Sequence, residues 1–180
     1  MAQTPVPLHR FQPLADVTLT PLTQEHAEAT LALVQDPEVA DNLGLRGAPS
    51  IERTRAFIDS AQRSGARSID SAQDGAELRA FAILRGGVHV GNVVLDRIDP
   101  VLGTARLSIY VGARGAGIGR SAVFLALAWA FGAGGLYKVW LTVHADNERA
   151  LRAYRAVGFR EEGRLRGEFL LRGQRVDALY

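Results

Sequence analysis

The stretch that most constrains this chain is Arg114-Gly115-Ala116-Gly117-Ile118-Gly119-Arg120, three glycines within five residues where a strand-like run meets a helix-like one. Upstream, Leu107, Ile109 and Val111 alternate with other residues as a strand does. Downstream, Ser121 to Phe131 is rich in Ala and Leu and free of Pro and Gly, as a helix prefers. Glycines at such a junction let the backbone turn tightly and bring its N–H groups close to a bound group, with no Cβ in the way. The free N–H groups of a helix start, with the positive end of its dipole, favour an anion such as a phosphate. Arg114 and Arg120 flank that position and add full positive charge. Dinucleotide and triphosphate loops match poorly. The spacing Gly115, Gly117, Gly119 is not Gly-x-Gly-x-x-Gly, and no Gly-Lys-Ser/Thr follows. The competing reading is a glycine-rich turn that merely reverses the chain.

Around this junction the pattern predicts one domain over residues 1–180. Residues 1–13, with Pro5, Pro7 and Pro13, read as an irregular arm, and Val17 to Thr20 as a strand stopped by Pro21. Thr23 is placed to cap a helix over Gln24 to Gln35, and Ser50 one over Ile51 to Arg63. Asp36 to Pro49 reads as a loop and Ser64 to Gly75 as a polar turn. Leu78 to Leu84 and Val88 to Leu95 form a hairpin across Arg85-Gly86-Gly87, and a second turn at Asp99 to Gly103 leads into Ala105 to Val111. Lys138 to Val143 reads as one strand, with Asp146 or Asn147 capping a helix to Val157. Arg160 to Tyr180 reads as a closing hairpin turned at Arg172-Gly173-Gln174, its last strand short. Hairpins followed by strand–helix units give a mixed α+β sheet with helices on its faces.

Composition excludes several classes. The chain of 180 residues is long enough for one good core, and no apolar run reaches the ~20 residues of a membrane span. There is no cysteine, hence no disulfide framework, thiolate nucleophile or cysteine metal site. A net charge of +2 does not make the concentrated basic face that nucleic acid demands. With no basic-then-apolar leader pattern, the expectation is a cytoplasmic, metal-free protein, monomeric or homodimeric.

The pattern Arg114-x-x-Gly117-x-Gly119 after a strand resembles the acyl-CoA pyrophosphate loop of the GNAT N-acetyltransferase superfamily. The continuation extends the likeness: Gly135-Leu136-Tyr137-Lys138-Val139-Trp140-Leu141-Thr142-Val143, then Ala145 to Tyr154, then Gly158-Phe159-Arg160-Glu161-Glu162-Gly163. Over Leu78 to Asp177 the chain is similar to the branch holding ribosomal-protein N-terminal (RimJ/RimL-like), spermidine and amino-sugar acetyltransferases. That resemblance implies a GNAT fold, a mostly antiparallel sheet splayed between its fourth and fifth strands, and acetyl-CoA as acetyl donor. It implies that Ile109, Tyr110 and Val111 pair with the pantetheine arm and that a backbone N–H near Tyr110 and Val111 polarises the thioester carbonyl. Arg114, Gly115, Ala116, Gly117, Ile118, Gly119 and Arg120 would cradle the pyrophosphate.

Two readings stand for Asn147, a helix cap and a contact to pantetheine. Two also stand for Tyr154, which shares a helical face with Ala150, Leu151 and Val157. One is a core aromatic; the other, by resemblance, is the general acid for the CoA thiolate. Arg149, Arg152 and Arg155 form a solvated face or meet the 3′-phosphate. The base is open. Relatives carry a glutamate on the strand before the loop where this chain has Arg106, leaving Glu168, His144, Asp96 or a water relay. Asp41 to Phe57 and Glu161 to Gln174 flank the acceptor, expected to be a protein N-terminus, an amino sugar or a small amine. The mixed charge there leans away from spermidine. Outside enzymes, the alternative is a non-catalytic acyl-CoA-binding sensor.

Overall fold

Gly86 and Gly87, with φ of 55° and 82°, close the first hairpin in the left-handed backbone region that a two-residue turn demands. They join β2 (Glu77–Arg85) to β3 (Val88–Asp99). The Asp99 carboxylate accepts the N–H groups of Val101 and Leu102, both at 2.9 Å, and turns the chain into β4 (Thr104–Val111). β1 (Val17–Pro21) pairs antiparallel with the outer side of β2. This is a computed structural model, and it describes residues 11–43, 47–65, 77–112 and 117–180. The predicted turn from Ser64 to Gly75 lies, beyond Gly65, outside the described residues, as do the first ten residues of the arm.

Alternation along the strands makes two faces. Val93, Leu95, Ala105 and Leu107 stand on one and join the main core with Ala122, Val123 and Ala126 of α4 (Ile118–Phe131). Ala80, Ala82 and Val94 stand on the other, with Ile58 and Ala61 of α3 (Ile51–Gly65) and with Ala27 of α1 (Ala27–Val34). Helices therefore cover both sides of the sheet, the mixed α+β architecture expected from the pattern.

Two elements differ from the sequence reading. Asp36 to Pro49 contains a helix, α2 (Pro37–Leu43). Asp36 accepts the N–H of Glu38 at 2.8 Å, and Pro37 occupies the first helical position, where its missing N–H costs nothing. The segment preceding α1 also begins as a 3-10 turn, Gln24–His26. The second difference is in the run Lys138 to Val143. It splits into β5 (Lys138–Trp140), parallel to β4, and β6 (Val143–His144), antiparallel to β8 (Gln174–Leu179). β7 (Arg164–Leu171) completes a second, three-stranded sheet in the order β6-β8-β7. Tyr180 ties the two sheets together. Its ring stacks on Trp140 at 5.2 Å, beneath the Lys138 ammonium.

Candidate active site

The divergence of β4 from the next strand makes the site. β4 and β5 are paired only from Thr104 with Lys138 to Arg106 with Trp140, after which the chain leaves for the second sheet. Leu107 to Val111 keep β3 on one side and, among the described residues, have no strand on the other. Which amides face the open side follows from one bond. The N–H of Gly112 donates to Val90 O at 2.9 Å, so the amides of Tyr110 and Ser108, two and four residues back, also face β3. The N–H and C=O groups of Ile109 and Val111 therefore line the free edge. Tyr110 instead commits its backbone to β3 and turns its side chain to the face of the N-terminal helices.

The start of α4 lies beside the end of this edge. Gly117 is its N-cap at φ 76°, a left-handed backbone that disfavours any side chain. No described side chain caps the helix, and no acid stands in its first turn, an arrangement that favours an anion at its leading N–H groups. Gly119 is different. Its backbone would accept any residue, and an added Cβ would stand 3.9 Å from Val111 Cγ2, in ordinary contact with no clash. Glycine at 119 is thus not required by the described residues around it. It leaves open the space between strand end and helix start, which fits a diphosphate lying against the backbone. Arg120 is exposed at the same place, its guanidinium 4.6 Å from the Phe11 ring. Arg114, Gly115 and Ala116 lie outside the described residues. Ile118 is buried in the core, so only its backbone is left to face a ligand at this turn.

α5 (Glu148–Ala156) follows β6 and packs against α4. Asn147 caps it, its Oδ1 accepting the N–H of Ala150 at 3.1 Å, so the capping reading holds. Ala150, Leu151 and Tyr154 pack on the main core as one face, and the Tyr154 ring meets Phe159 edge-on at 5.7 Å. The Tyr154 hydroxyl has no hydrogen-bond partner among the described residues, and desolvation alone pushes its phenol up to about 12. Arg152 pairs with Glu148 and Arg155 with Glu161, both at the surface.

The three base candidates are not brought together. Asp96 receives Nε and Nη2 of Arg106, both at 2.7 Å, in a bidentate pair, and the carboxylate keeps the guanidinium charged. The two residues sit opposite each other on β3 and β4, across a register shift between Asp96 and Asp99 that the turn at Asp99 to Gly103 does not reveal. His144 is not a surface residue: it is 6% exposed on β6, its ring 4.5 Å from Phe169. Glu168 is exposed on β7, in a stretch where the pairing with β8 shifts register. The two predicted flanks of the acceptor do meet. Arg172 in the β7–β8 turn pairs with Asp41 of α2 at 3.0 Å. A polar group that the sequence reading missed lies on the same side of the sheet: His89, Asn92, Thr30 and the Tyr110 hydroxyl are joined by hydrogen bonds.

Comparison with known proteins agrees with this geometry. Over 103 residues the chain is 35% identical to the spermidine N(1)-acetyltransferase of Escherichia coli (strain K12), covering 56% of this chain and 55% of that protein. It is 32% identical over 90 residues to the spermidine N(1)-acetyltransferase of Vibrio cholerae serotype O1, covering 49% and 52% of the two chains. The chain thus matches about half the length of these curated relatives. A crystal structure of spermidine N-acetyltransferase from Vibrio cholerae, in complex with CoA and spermine, superposes with a TM-score of 0.80 at 22% identity. That superposition covers 92% of this chain and 94% of the other, which establishes the shared fold. Residues 16–160 match the family described as the acetyltransferase (GNAT) domain, and the chain belongs to it.

Proposed function

We propose that this protein is an N-acetyltransferase that moves an acetyl group from acetyl-CoA to a primary amine by direct attack. The observation that carries this reading is the free edge of β4, ending against the uncapped start of α4. An extended amide-bearing arm adds to such an edge as a strand would, and the diphosphate at its end meets the helix N–H groups. The N–H of Val111 or Ile109 then donates to the thioester carbonyl and stabilises the negative charge that develops there. The Gly117–Arg120 turn, with Arg114 to Ala116 before it, holds the diphosphate. Asn147 caps α5 and so fixes the helix that presents Tyr154.

The amine nitrogen bonds to the acetyl carbon and the carbon–sulfur bond breaks. Tyr154, protonated at neutral pH, gives its proton to the departing sulfur and regains one from solvent, into which the amine proton is released. No carboxylate base is assigned. Asp96 is held by Arg106, and an amine that binds already neutral needs none. That missing base favours a second reading, an acyl-CoA-binding sensor without chemistry.

Titrating the protein with acetyl-CoA by calorimetry, then following thiol release with amines, separates the readings. Saturable binding with thiol release supports the enzyme, and binding with no release on any amine supports the sensor. A folded protein that does not bind acetyl-CoA sinks both.

A further inference from the structure

We propose that the acceptor is selected by a row of hydrogen-bond donors on β4, Arg106, Ser108 and Tyr110, and is an amine carrying a carbonyl or hydroxyl oxygen close to its nitrogen. This rests on the acetyltransferase reading and deepens it, because it selects against polyamines.

The three residues alternate on one face of β4, about 7 Å apart. Their cross-strand partners identify that face. Tyr110 bonds to Asn92, Arg106 to Asp96, and Val94, opposite Ser108, belongs to the apolar cluster under α3. The row is thus on the side of the N-terminal helices, away from α4. α3 lies over β2, α1 over β3, and α2 reaches β4. β4 is the margin of that helical layer and borders its own free edge, so an amine approaching a thioester held there passes this row.

The hydrogens can be counted. His89 Nε2 is 2.9 Å from Gly91 O and 2.8 Å from Asn92 Oδ1, two acceptors, so that nitrogen carries the proton. The fully buried Asn92 then spends both Nδ2 hydrogens, on Thr30 Oγ1 at 3.0 Å and on Tyr110 Oη at 2.7 Å. Tyr110 Oη is therefore an acceptor inside the protein, and its own proton has no partner among the described residues. Desolvation raises this phenol, so it remains a donor. Arg106 has Nε and Nη2 on Asp96 and leaves Nη1 uncommitted. The Ser108 hydroxyl is bonded to no described residue.

Charge points the same way. Asp96 on β3 and Asp41 on α2 are each paired with an arginine, so neither of these two carboxylates offers free negative charge to a polycation. A carbonyl or hydroxyl beside the amine matches the row, and an amine without one leaves it unpaired.

The test measures kcat/KM by thiol release with three acceptors: spermidine, glucosamine and a seryl tripeptide amide. At least one oxygen-bearing amine should exceed spermidine by about tenfold or more, since a donor site rejects an analogue lacking the matching oxygen. The sugar and peptide arms identify the source of that oxygen. Tyr110→Phe should shrink the ratio over spermidine about tenfold, with an unchanged melting temperature showing that the fold survives. Arg106→Gln, which uncovers Asp96, should shrink it from the other side by raising spermidine turnover. Wild-type preference for spermidine, or an equal loss on all three amines in Tyr110→Phe, overturns the inference while the acetyltransferase reading stands. Failure to bind acetyl-CoA overturns both.

Discussion

In the proposed mechanism the chemistry turns on Tyr154, and its surroundings make that role testable. A structural tyrosine in a helix usually gives its hydroxyl to a nearby carbonyl; this one has no such partner among the described residues and is packed on the core beside Phe159. Tyr154→Phe removes only the proton donor. It should lower kcat by roughly 10²- to 10⁴-fold, the range for a general acid, with the acetyl-CoA dissociation constant nearly unchanged. Thiol release and calorimetry read the two separately, and unchanged turnover would remove Tyr154 from the mechanism. Burial also raises its pKa from 10.0 to about 12, which fixes a sign. Between these values the folded chain retains a proton that the unfolded chain has lost. This contribution to stability is complete below pH 10 and is lost as pH rises toward 12. In Tyr154→Phe, denaturant midpoints should fall less steeply across that window than in the wild type.

At the scale of elements, the turn between β4 and α4 separates two reasons for a glycine. Gly117 serves the backbone, since its left-handed φ costs a side chain about 1–2 kcal/mol. Gly119 has ordinary geometry and room for a Cβ beside Val111, so no described neighbour requires glycine there, and the proposed reading assigns it to the ligand. Gly117→Val should therefore lower the melting temperature and weaken acetyl-CoA together. Gly119→Val should cost less than about 1 kcal/mol of stability yet abolish measurable acetyl-CoA binding. Thermal unfolding set beside calorimetry distinguishes the two, and intact binding in Gly119→Val would exclude the cradle from this turn. The sequence shows the glycines but not this division, because φ is invisible in a string of letters. The same limit explains α2: Asp36 and Pro37 are breakers in composition and starters in geometry, and only the bond from Asp36 to the N–H of Glu38 decides between them. It explains the split at Trp140 too. The run Lys138 to Val143 is continuously β-forming, and its change of sheet is set by pairing partners distant in sequence. Periodic elements and tight turns were legible from local pattern. The Arg106–Asp96 and Tyr110–Asn92 pairs required the register of β3 against β4.

At the scale of the molecule, the proposed function depends on a sheet whose described strands leave one edge partly open. β1 to β4 form a continuous antiparallel set, β5 adds three residues in parallel, and the remaining edge of β4 has no strand beside it among the described residues. An unpaired edge elsewhere would invite association with another chain. Here the second sheet, tied back by the Trp140–Tyr180 stack and the Arg172–Asp41 pair, leaves an opening beside it. Those ties differ in strength. The ion pair is largely exposed on the arginine side and is worth at most about 1 kcal/mol, whereas the aromatic stack also shelters apolar surface. If the opening receives an acetyl-CoA arm as an added strand, protection from hydrogen exchange should be local and should follow parity. On adding acetyl-CoA, the amides of Ile109 and Val111 should slow markedly, as should those of Gly119 and Arg120 at the helix start. Tyr110 and Ser108, already bonded to β3, should change little, and β1 and β2 not at all. Amide-resolved exchange measured with and without acetyl-CoA checks this. Uniform slowing along β4 would indicate general stabilisation by binding elsewhere, and only the alternating pattern identifies the free edge as the surface that is filled.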